Sequence, residues 1–303
     1  MMKGILDIKT VHECNCCLGG KTLHPHVGVI RIDDSTDVEQ HGIRFDFYTV
    51  LLIDNRAPGK CCRCCGMKGY DFSDATMVFL SPEKAFDMTH ERTLPRKGWL
   101  LAFHPDLLCG TTLDHTLGSR YTFFSYSKNE ALHLSAKECD KIECCLQGID
   151  EELHHPIDAH SSTIITRHIE LLLDYCKRYY QRQFITREDK NNSLMERLCS
   201  YVNTYIMQGR LADGIFPSAE KCAERLNLST QYFKDLLKFV TGNTLREYVE
   251  MARLGIAKQM LANGEYSPTR VASYLGYPSV RQFSLMFKKI TGTSPAEYKS
   301  AHN

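Results

Sequence analysis

Apolar and polar positions follow one rhythm over the first 130 residues and another after them. Val27–Ile32, Arg44–Ile53, Met77–Leu80, Trp99–Phe103 and Tyr121–Tyr126 are short apolar or alternating runs, as expected of strands. Asp33-Asp34-Ser35, the stretch from Asn55 to Gly59, and Ser81-Pro82 separate them with turn chemistry. Several short strands at this spacing predict an all-β sandwich or barrel. From Ser135 the period lengthens: Ser135 and Glu138 have the spacing of a capping box. A second helix is predicted over about 162–183, where Ile165, Ile169, Leu172, Cys176 and Tyr179 recur at steps of four and three to make one apolar seam. That seam suits a helix laid on its own sheet and a two-helix dimer interface equally well. The polar stretch Ile185-Thr-Arg-Glu-Asp-Lys-Asn-Asn-Ser193 reads as a linker.

Beyond it the chain repeats itself. Laying residues 229–248 over 279–298 matches Ser229/Ser279, Phe233/Phe283, Lys238/Lys288, Thr241/Thr291, Gly242/Gly292, Glu247/Glu297 and Tyr248/Tyr298 without a gap. With a shift of one residue upstream, Ala223 and Leu226 match Ala272 and Leu275. Each unit is thus a short helix, a tight turn and a longer helix. Phe233, Leu236, Leu237 and Val240, and likewise Phe283, Met286, Phe287 and Ile290, are spaced as one buried stripe per long helix. Ser229 and Ser279 stand at N-cap positions, Gly242 and Gly292 at helix stops, and Thr244…Glu247, Ser267-Pro268 and Ser294-Pro295…Glu297 restart the chain.

The face opposite each stripe carries the chemistry. A helix-turn-helix lays its second helix in the major groove of DNA, with exposed residues near base edges and flanking cations on phosphates. The candidate DNA-contacting residues are Ser229, Thr230, Gln231, Lys234, Asp235 and Lys238 in the first unit, and Ser279, Val280, Arg281, Ser284, Leu285, Lys288 and Lys289 in the second. The intervening helix, predicted over about 244–262, would span ~28 Å, close to the ~34 Å between successive major-groove faces on one side of B-DNA.

Composition changes this picture in one respect. The 303 residues, 43% apolar and 24% charged, suffice for about two packed domains. The net charge of +1 by itself gives no reason to expect a polyanionic partner. Yet residues 193–303 hold 14 of the 37 Lys+Arg and 9 of the 36 Asp+Glu, so that part carries +5 and residues 1–192 carry −4. The positive half is the one with the repeat, and such asymmetry points to a polyanion. The longest strongly apolar run, Phe47–Ile53, is far short of the ~20 residues of a membrane span. The first ten residues, MMKGILDIKT, lack the features of a secretory signal. A cytoplasmic protein with no membrane partner is expected, its fourteen cysteines reduced.

At residues of about 195–300 the sequence resembles the DNA-binding domain of the AraC/XylS transcription regulators. The carrying segments are Cys222-Ala-Glu-Arg-Leu-Asn-Leu-Ser229, Phe233…Lys238…Thr241-Gly242, Val271-Ala-Ser-Tyr-Leu-Gly-Tyr277, and Gln282-Phe-Ser-Leu-Met-Phe-Lys-Lys-Ile-Thr-Gly292 followed by Pro295…Tyr298. The resemblance implies that Gln231, Lys234 and Asp235 read bases in the first unit, and Val280, Arg281, Ser284 and Leu285 in the second. The family often has Arg where this chain has Asp235 and Leu285. An acid can accept from a cytosine amino group and a leucine can touch a thymine methyl, so a target site unlike the family's familiar ones is expected.

Such regulators commonly carry a cupin-like sensor barrel followed by dimerisation helices. Gly98-Trp99…Phe103-His104-Pro105-Asp106, Tyr121-Thr-Phe-Phe124 and Glu130-Ala-Leu-His-Leu-Ser135 resemble segments of that arrangement. The implied fold is α+β and multidomain: a cupin-like effector-sensing β-barrel at 1–135, a helical linker and dimerisation segment at 136–185, and an all-α double helix-turn-helix at 193–303. The implied partners are double-stranded promoter DNA, RNA polymerase, a small-molecule effector, and a second copy of the chain through the 162–183 helix. No cofactor is required.

Two N-terminal features carry chemistry of their own. His24-Pro25-His26 is the chain's single H-x-H, and two imidazoles can begin a metal site; no further histidine or carboxylate stands at a suitable spacing, so a structural or surface pair is the simpler reading. Cys61-Cys62-Arg63-Cys64-Cys65 contains two overlapping C-x-x-C pairs beside Lys60 and Lys68, and neighbouring cations raise thiolate reactivity. Cys14, Cys16 and Cys17 form a second knot, Cys139, Cys144 and Cys145 a third. The spacing matches no standard zinc module, so incidental thiols compete with a thiol- or metal-responsive regulator that uses Cys61, Cys62, Cys64 and Cys65. An enzyme would need more: a cupin oxygenase a full metal triad, for which the sequence shows no further ligands at a suitable spacing, and an alkyl-acceptor DNA-repair protein fused to a DNA-binding domain a Pro-Cys-His segment, which the chain lacks. An interaction scaffold would not need cations on repeated recognition faces. The expected protein is a sequence-specific transcription regulator and not an enzyme.

Overall fold

The computed structural model describes residues 5–32, 42–56, 65–87 and 97–302. The chain divides into two compact units, Met1–Arg187 and Glu188–Asn303.

In the first unit the elements are β1 (Ile5–Ile8), α1 (Val11–Cys17), β2 (Val27–Ile32), β3 (Gly42–Phe45), β4 (Tyr48–Asp54), β5 (Ala75–Leu80), β6 (Ala85–Asp87), β7 (Gly98–Phe103), α2 (Leu117–Arg120), β8 (Leu132–Leu134), α3 (Ala136–His154) and α4 (Ser161–Thr186). An antiparallel sheet runs in the order β2-β7-β4-β5-β8, and a smaller one in the order β1-β3-β6 with β1 and β3 parallel. On one face of the larger sheet Ile30, Ile32, Leu51, Ile53, Val78, Leu80 and Leu100 pack with Ile8, Val11, Ile43, Phe45 and Phe86 from β1, α1, β3 and β6. The other face is also covered: the Phe79 ring centroid lies 4.5 Å from that of Phe123 and 6.1 Å from that of Tyr180, and the Cys176 thiol lies 3.7 Å from Met77 Sδ. A strand buried on both faces has no reason to alternate, and β5 is buried along its whole length.

Neither sheet closes on itself among the described residues, so the expected cupin-like barrel is not found; the unit is an α+β body of two sheets with trailing helices. The Asp33-Asp34-Ser35 turn and residues 57–59 of the Asn55–Gly59 turn lie outside the described residues. Two expected strands differ from what the sequence suggested. The Arg44–Ile53 run breaks at Asp46-Phe47, with β3 entering the small sheet and β4 the large one; Phe47 is fully buried where the chain crosses between them. Tyr121–Tyr126 is not a strand but holds a 3-10 turn, Thr122–Ser125. Phe123 and Phe124 are adjacent and both buried, which a helical turn permits and an alternating strand does not.

Ser135 caps α3 with the full capping box to Glu138. The α4 seam faces inward: Ile165, Ile169, Leu172 and Cys176 are fully buried and Tyr179 nearly so. It is therefore a helix on its own unit, and these five residues are unavailable to a partner chain. The stretch 185–193, expected as a linker, is helical on both sides of Arg187. Arg187 donates from Nε and Nη2 to the two carboxylate oxygens of Asp71, at 2.8 and 2.7 Å, and both side chains are buried. Glu188 and Asp189 then lie in the first turn of the next helix, where the helix dipole favours acids.

The second unit is all helix: α5 (Glu188–Met207), α6 (Ala219–Leu226), α7 (Thr230–Thr241), α8 (Leu245–Ala262), α9 (Pro268–Tyr274), α10 (Val280–Thr291) and α11 (Pro295–His302). Leu194, Leu198, Val202 and Ile206 of α5, with Val249, Ala257 and Leu261 of α8, belong to its core. In the chain as described, no helix is long and apolar enough to cross a membrane.

Candidate nucleic-acid interface

The two repeats are built by the same local chemistry. The Ser218, Ser229, Ser267 and Ser279 hydroxyls accept from the backbone N–H three residues on, at the starts of α6, α7, α9 and α10. In the first turn Asn227 takes the left-handed conformation at φ 56°, and Leu228 N–H bonds to Ala223 O at 2.9 Å. In the second Gly276 does so at φ 72°, and Tyr277 N–H bonds to Ala272 O at 2.9 Å. These are equivalent helix stops. Pro278 then adds one residue before the Ser279 cap, which is the origin of the one-residue shift in the sequence repeat. Gly242 and Gly292, at φ 73° and 82°, end α7 and α10 in a conformation that a residue with a Cβ rarely adopts.

Burial orients the long helices. Tyr232, Phe233, Leu236 and Leu237 of α7, and Phe283 and Phe287 of α10, are buried. Val240 and Ile290, expected as the fourth member of each stripe, are instead 39% and 47% exposed. Helices α6 and α9 have only 8 and 7 residues, about two turns each, and are too short to cover the last turn of a 12-residue helix.

The opposite faces are open. Lys234, Lys238, Arg281, Leu285, Lys288 and Lys289 are exposed, as is Ser279, while Ser229, Thr230, Gln231, Asp235, Val280 and Ser284 are half-buried. Within this set Gln231 Nε2 donates to Asp235 Oδ1 at 3.1 Å, and Lys238 Nζ caps the Gly242 carbonyl at 2.6 Å. Leu285 is 62% exposed, so its side chain is available to a partner. The 18 residues of α8 measure about 27 Å along the axis.

One organising residue was not singled out from the sequence. Arg253 on α8 is buried, donates from Nε to Leu275 O at 2.7 Å, pairs with Glu250 at 3.1 Å, and lies 3.5 Å from the Tyr277 ring centroid. It pins the joining helix to the turn of the second repeat. Its spacing with Val249, Ile256, Ala257 and Met260, all buried, was the available signal: a cation on an apolar face needs partners.

In the first unit His24 Nδ1 accepts from His26 N–H at 3.1 Å, and the His26 ring stands 6.0 Å from that of His24 and 5.8 Å from that of His104. Cys61, Cys62 and Cys64 lie outside the described residues, and Cys65 is fully buried. The other cysteine knots are each divided between surface and core. Burial pushes the Cys14 and Cys139 thiols up to about 12 and raises that of Cys145, so these three carry no thiolate at neutral pH. A cavity of about 210 Å³ adjoins Trp99 and is also lined by Arg31, Lys97, Asp54 and Glu143. The Arg31 guanidinium lies 5.6 Å from the Trp99 ring centroid, while Asp54 and Glu143 are both held by Arg56, at 3.0 and 3.2 Å.

Residues 222–301 match a family described as a helix-turn-helix domain. The chain is 32% identical over 80 residues to the MmsAB operon regulatory protein of Pseudomonas aeruginosa, covering 26% of each chain. It is 24% identical over 158 residues to the HTH-type transcriptional regulator YijO of Escherichia coli, covering 52% of each. To the regulatory protein SoxS of Salmonella typhimurium it is 26% identical over 109 residues, covering 36% of this chain and 95% of that one. The match thus spans about half or less of the first two relatives. The family match lies within the helical unit, so that unit is similar to a helix-turn-helix domain, and the chain is similar over part of its length to these transcriptional regulators.

Proposed function

We propose that the chain is a sequence-specific DNA-binding transcription regulator in which α7 and α10 each enter a major groove and α8 sets their spacing. The observation that carries this is the duplication itself: two helices with the same serine cap, the same glycine stop, a buried aromatic face and an open cationic one. Gln231, Lys234 and Asp235 face base edges in one groove, and Val280, Arg281, Ser284 and Leu285 in the next. Lys238, Lys288 and Lys289 lie on phosphates, with Ser229, Thr230 and Ser279 at the helix starts, where backbone N–H groups suit an anion. The Gln231–Asp235 bond holds the acid ready to accept from a cytosine amino group, and Leu285 suits a thymine methyl.

The first unit is the sensor, an open two-sheet counterpart of the cupin-like domain, and the Trp99 cavity is its candidate effector site. With both acids committed to Arg56, Arg31 and Lys97 favour a small anion. Any homodimer uses the outer face of α4, where Ile164 and Leu171 are exposed, since the inner seam is occupied. RNA polymerase as a partner, a cytoplasmic location and the absence of catalysis follow from the regulator reading.

A binding selection from random duplex DNA with the full chain tests the proposal. An enriched site with two elements about one helical turn apart supports it; no enriched motif overturns it. Trp99, the chain's one tryptophan, gives a fluorescence readout for small anions.

A further inference from the structure

Strands β2 and β7 pair antiparallel with Val27 opposite Phe103. The ladder continues one residue further, with His104 N–H donating to His26 O at 2.8 Å. His26 and His104 are therefore cross-strand neighbours at one end of the sheet, with ring centroids 5.8 Å apart. After His104 the chain turns into the 3-10 helix Pro105–Leu108, which carries Asp106 back over the imidazole. One ligand atom from each of His26, His104 and Asp106 lies within 4.8 Å of the other two.

We propose that His26, His104 and Asp106 bind one divalent transition-metal ion of the Zn²⁺ class. Ligands in a tetrahedral shell with bonds of about 2.0–2.1 Å stand about 3.3–3.5 Å apart. His104 Nδ1 and Asp106 Oδ2 are already 3.3 Å apart, and the half-buried His26 ring, with a nitrogen within 4.8 Å of both residues' ligand atoms, is the member that must close in on the ion. Two imidazoles and a carboxylate are a borderline-soft donor set that selects Zn²⁺ and its neighbours over Ca²⁺ or Mg²⁺. The competing contact at His104 Nδ1 is an N–H from Asp106 at 3.2 Å, a long bond that an ion can replace. Because Asp106 is exposed and three ligands converge among the described residues, the fourth position is open to water or to a small anion. The sequence hid the site because His26 and His104 are 78 positions apart and only the strand register joins them. Metal binding here stands whether or not the second unit binds DNA.

The test is titration of metal-free full-length protein with Zn²⁺ by calorimetry and with Co²⁺ by visible absorption, under a non-chelating reductant. Wild type should bind one equivalent with the d–d bands of nitrogen and oxygen ligation and no thiolate-to-cobalt charge-transfer band. His26→Ala and Asp106→Asn should each weaken binding roughly a hundredfold, and a Cys61/Cys62/Cys64/Cys65→Ser variant should bind as wild type. His104 also caps its turn, so His26→Ala, which removes no cap, is the deciding variant, with metal-free circular dichroism and melting as its fold control. Wild-type affinity in His26→Ala, or a thiolate charge-transfer band from the bound ion, overturns the assignment.

Discussion

Arg253→Met keeps the aliphatic stem of the buried arginine and removes its guanidinium. Three interactions are lost. The charge-assisted bond from Nε to Leu275 O, at 2.7 Å and buried, is worth about 1.5–3 kcal/mol. The guanidinium over the Tyr277 ring at 3.5 Å adds about 1–2 kcal/mol. The pair to Glu250 adds at most about 1 kcal/mol, since the acid side chain is 32% exposed and screened. Methionine recovers part of the packing, so the net loss should be about 2–4 kcal/mol. The loss falls on the second unit, because every one of these partners lies in α8 or in the turn before α10. Urea unfolding of the full chain separates the units, since Trp99 fluorescence reports the first and far-ultraviolet circular dichroism also sees the second, all-helical one. With a urea slope of about 1–3 kcal/mol per molar, the helical component of the dichroism transition should move down by about 1–2 M. A dichroism curve superimposable on wild type would refute the role given to Arg253.

Further outcomes follow from the same contacts. Burial holds the His133 imidazole down at about 4, although Asp71 opposes this, and the Arg187 bond holds the Asp71 carboxyl below its ordinary range despite burial. Both folded values are depressed, so this stability is present above the unfolded values and lost on acidification, for His133 as the pH falls from 7 to 5. Chemical unfolding of wild type and His133→Gln at the two pH values measures it, and an equal pH dependence in both would contradict it. Gly98→Ala should destabilise the first unit, because at φ 155° its Cβ would come within 1.9 Å of Leu52 O on the paired strand; an unchanged Trp99 unfolding curve would refute this. Leu285→Arg should steepen the dependence of DNA affinity on salt by about one counterion and weaken preference for a thymine at one position; the same salt slope and preference as wild type would place Leu285 off the DNA.

The helical half was far more legible in the sequence than the sheet half. Caps, stops and stripes are local chemistry, so Ser229, Gly242, Ser279 and Gly292 are legible in the sequence alone. What periodicity could not show was where a covering helix ends, which is why Val240 and Ile290 were assigned to the core and stand exposed. In the first unit, aromatic runs looked like strands because alternation and a helical turn are hard to tell apart over six residues; Tyr121–Tyr126 illustrates this. The linker misled for a different reason: Glu188 and Asp189 open a helix whose dipole favours acids in its first turn, and Arg187 is buried only because Asp71, 116 positions earlier, receives it. Pairings across the chain, such as His26 with His104 and Arg253 with Tyr277, leave almost no local trace.

The central claim is that α7 and α10 read two successive major-groove segments. Chemical footprinting of guanine N7 on the selected site tests it, comparing wild type with Lys234→Ala and Arg281→Ala. Wild type should protect two patches about one helical turn apart; Lys234→Ala should lose one and Arg281→Ala the other. A single patch, or both patches fading equally in both variants, would contradict the account.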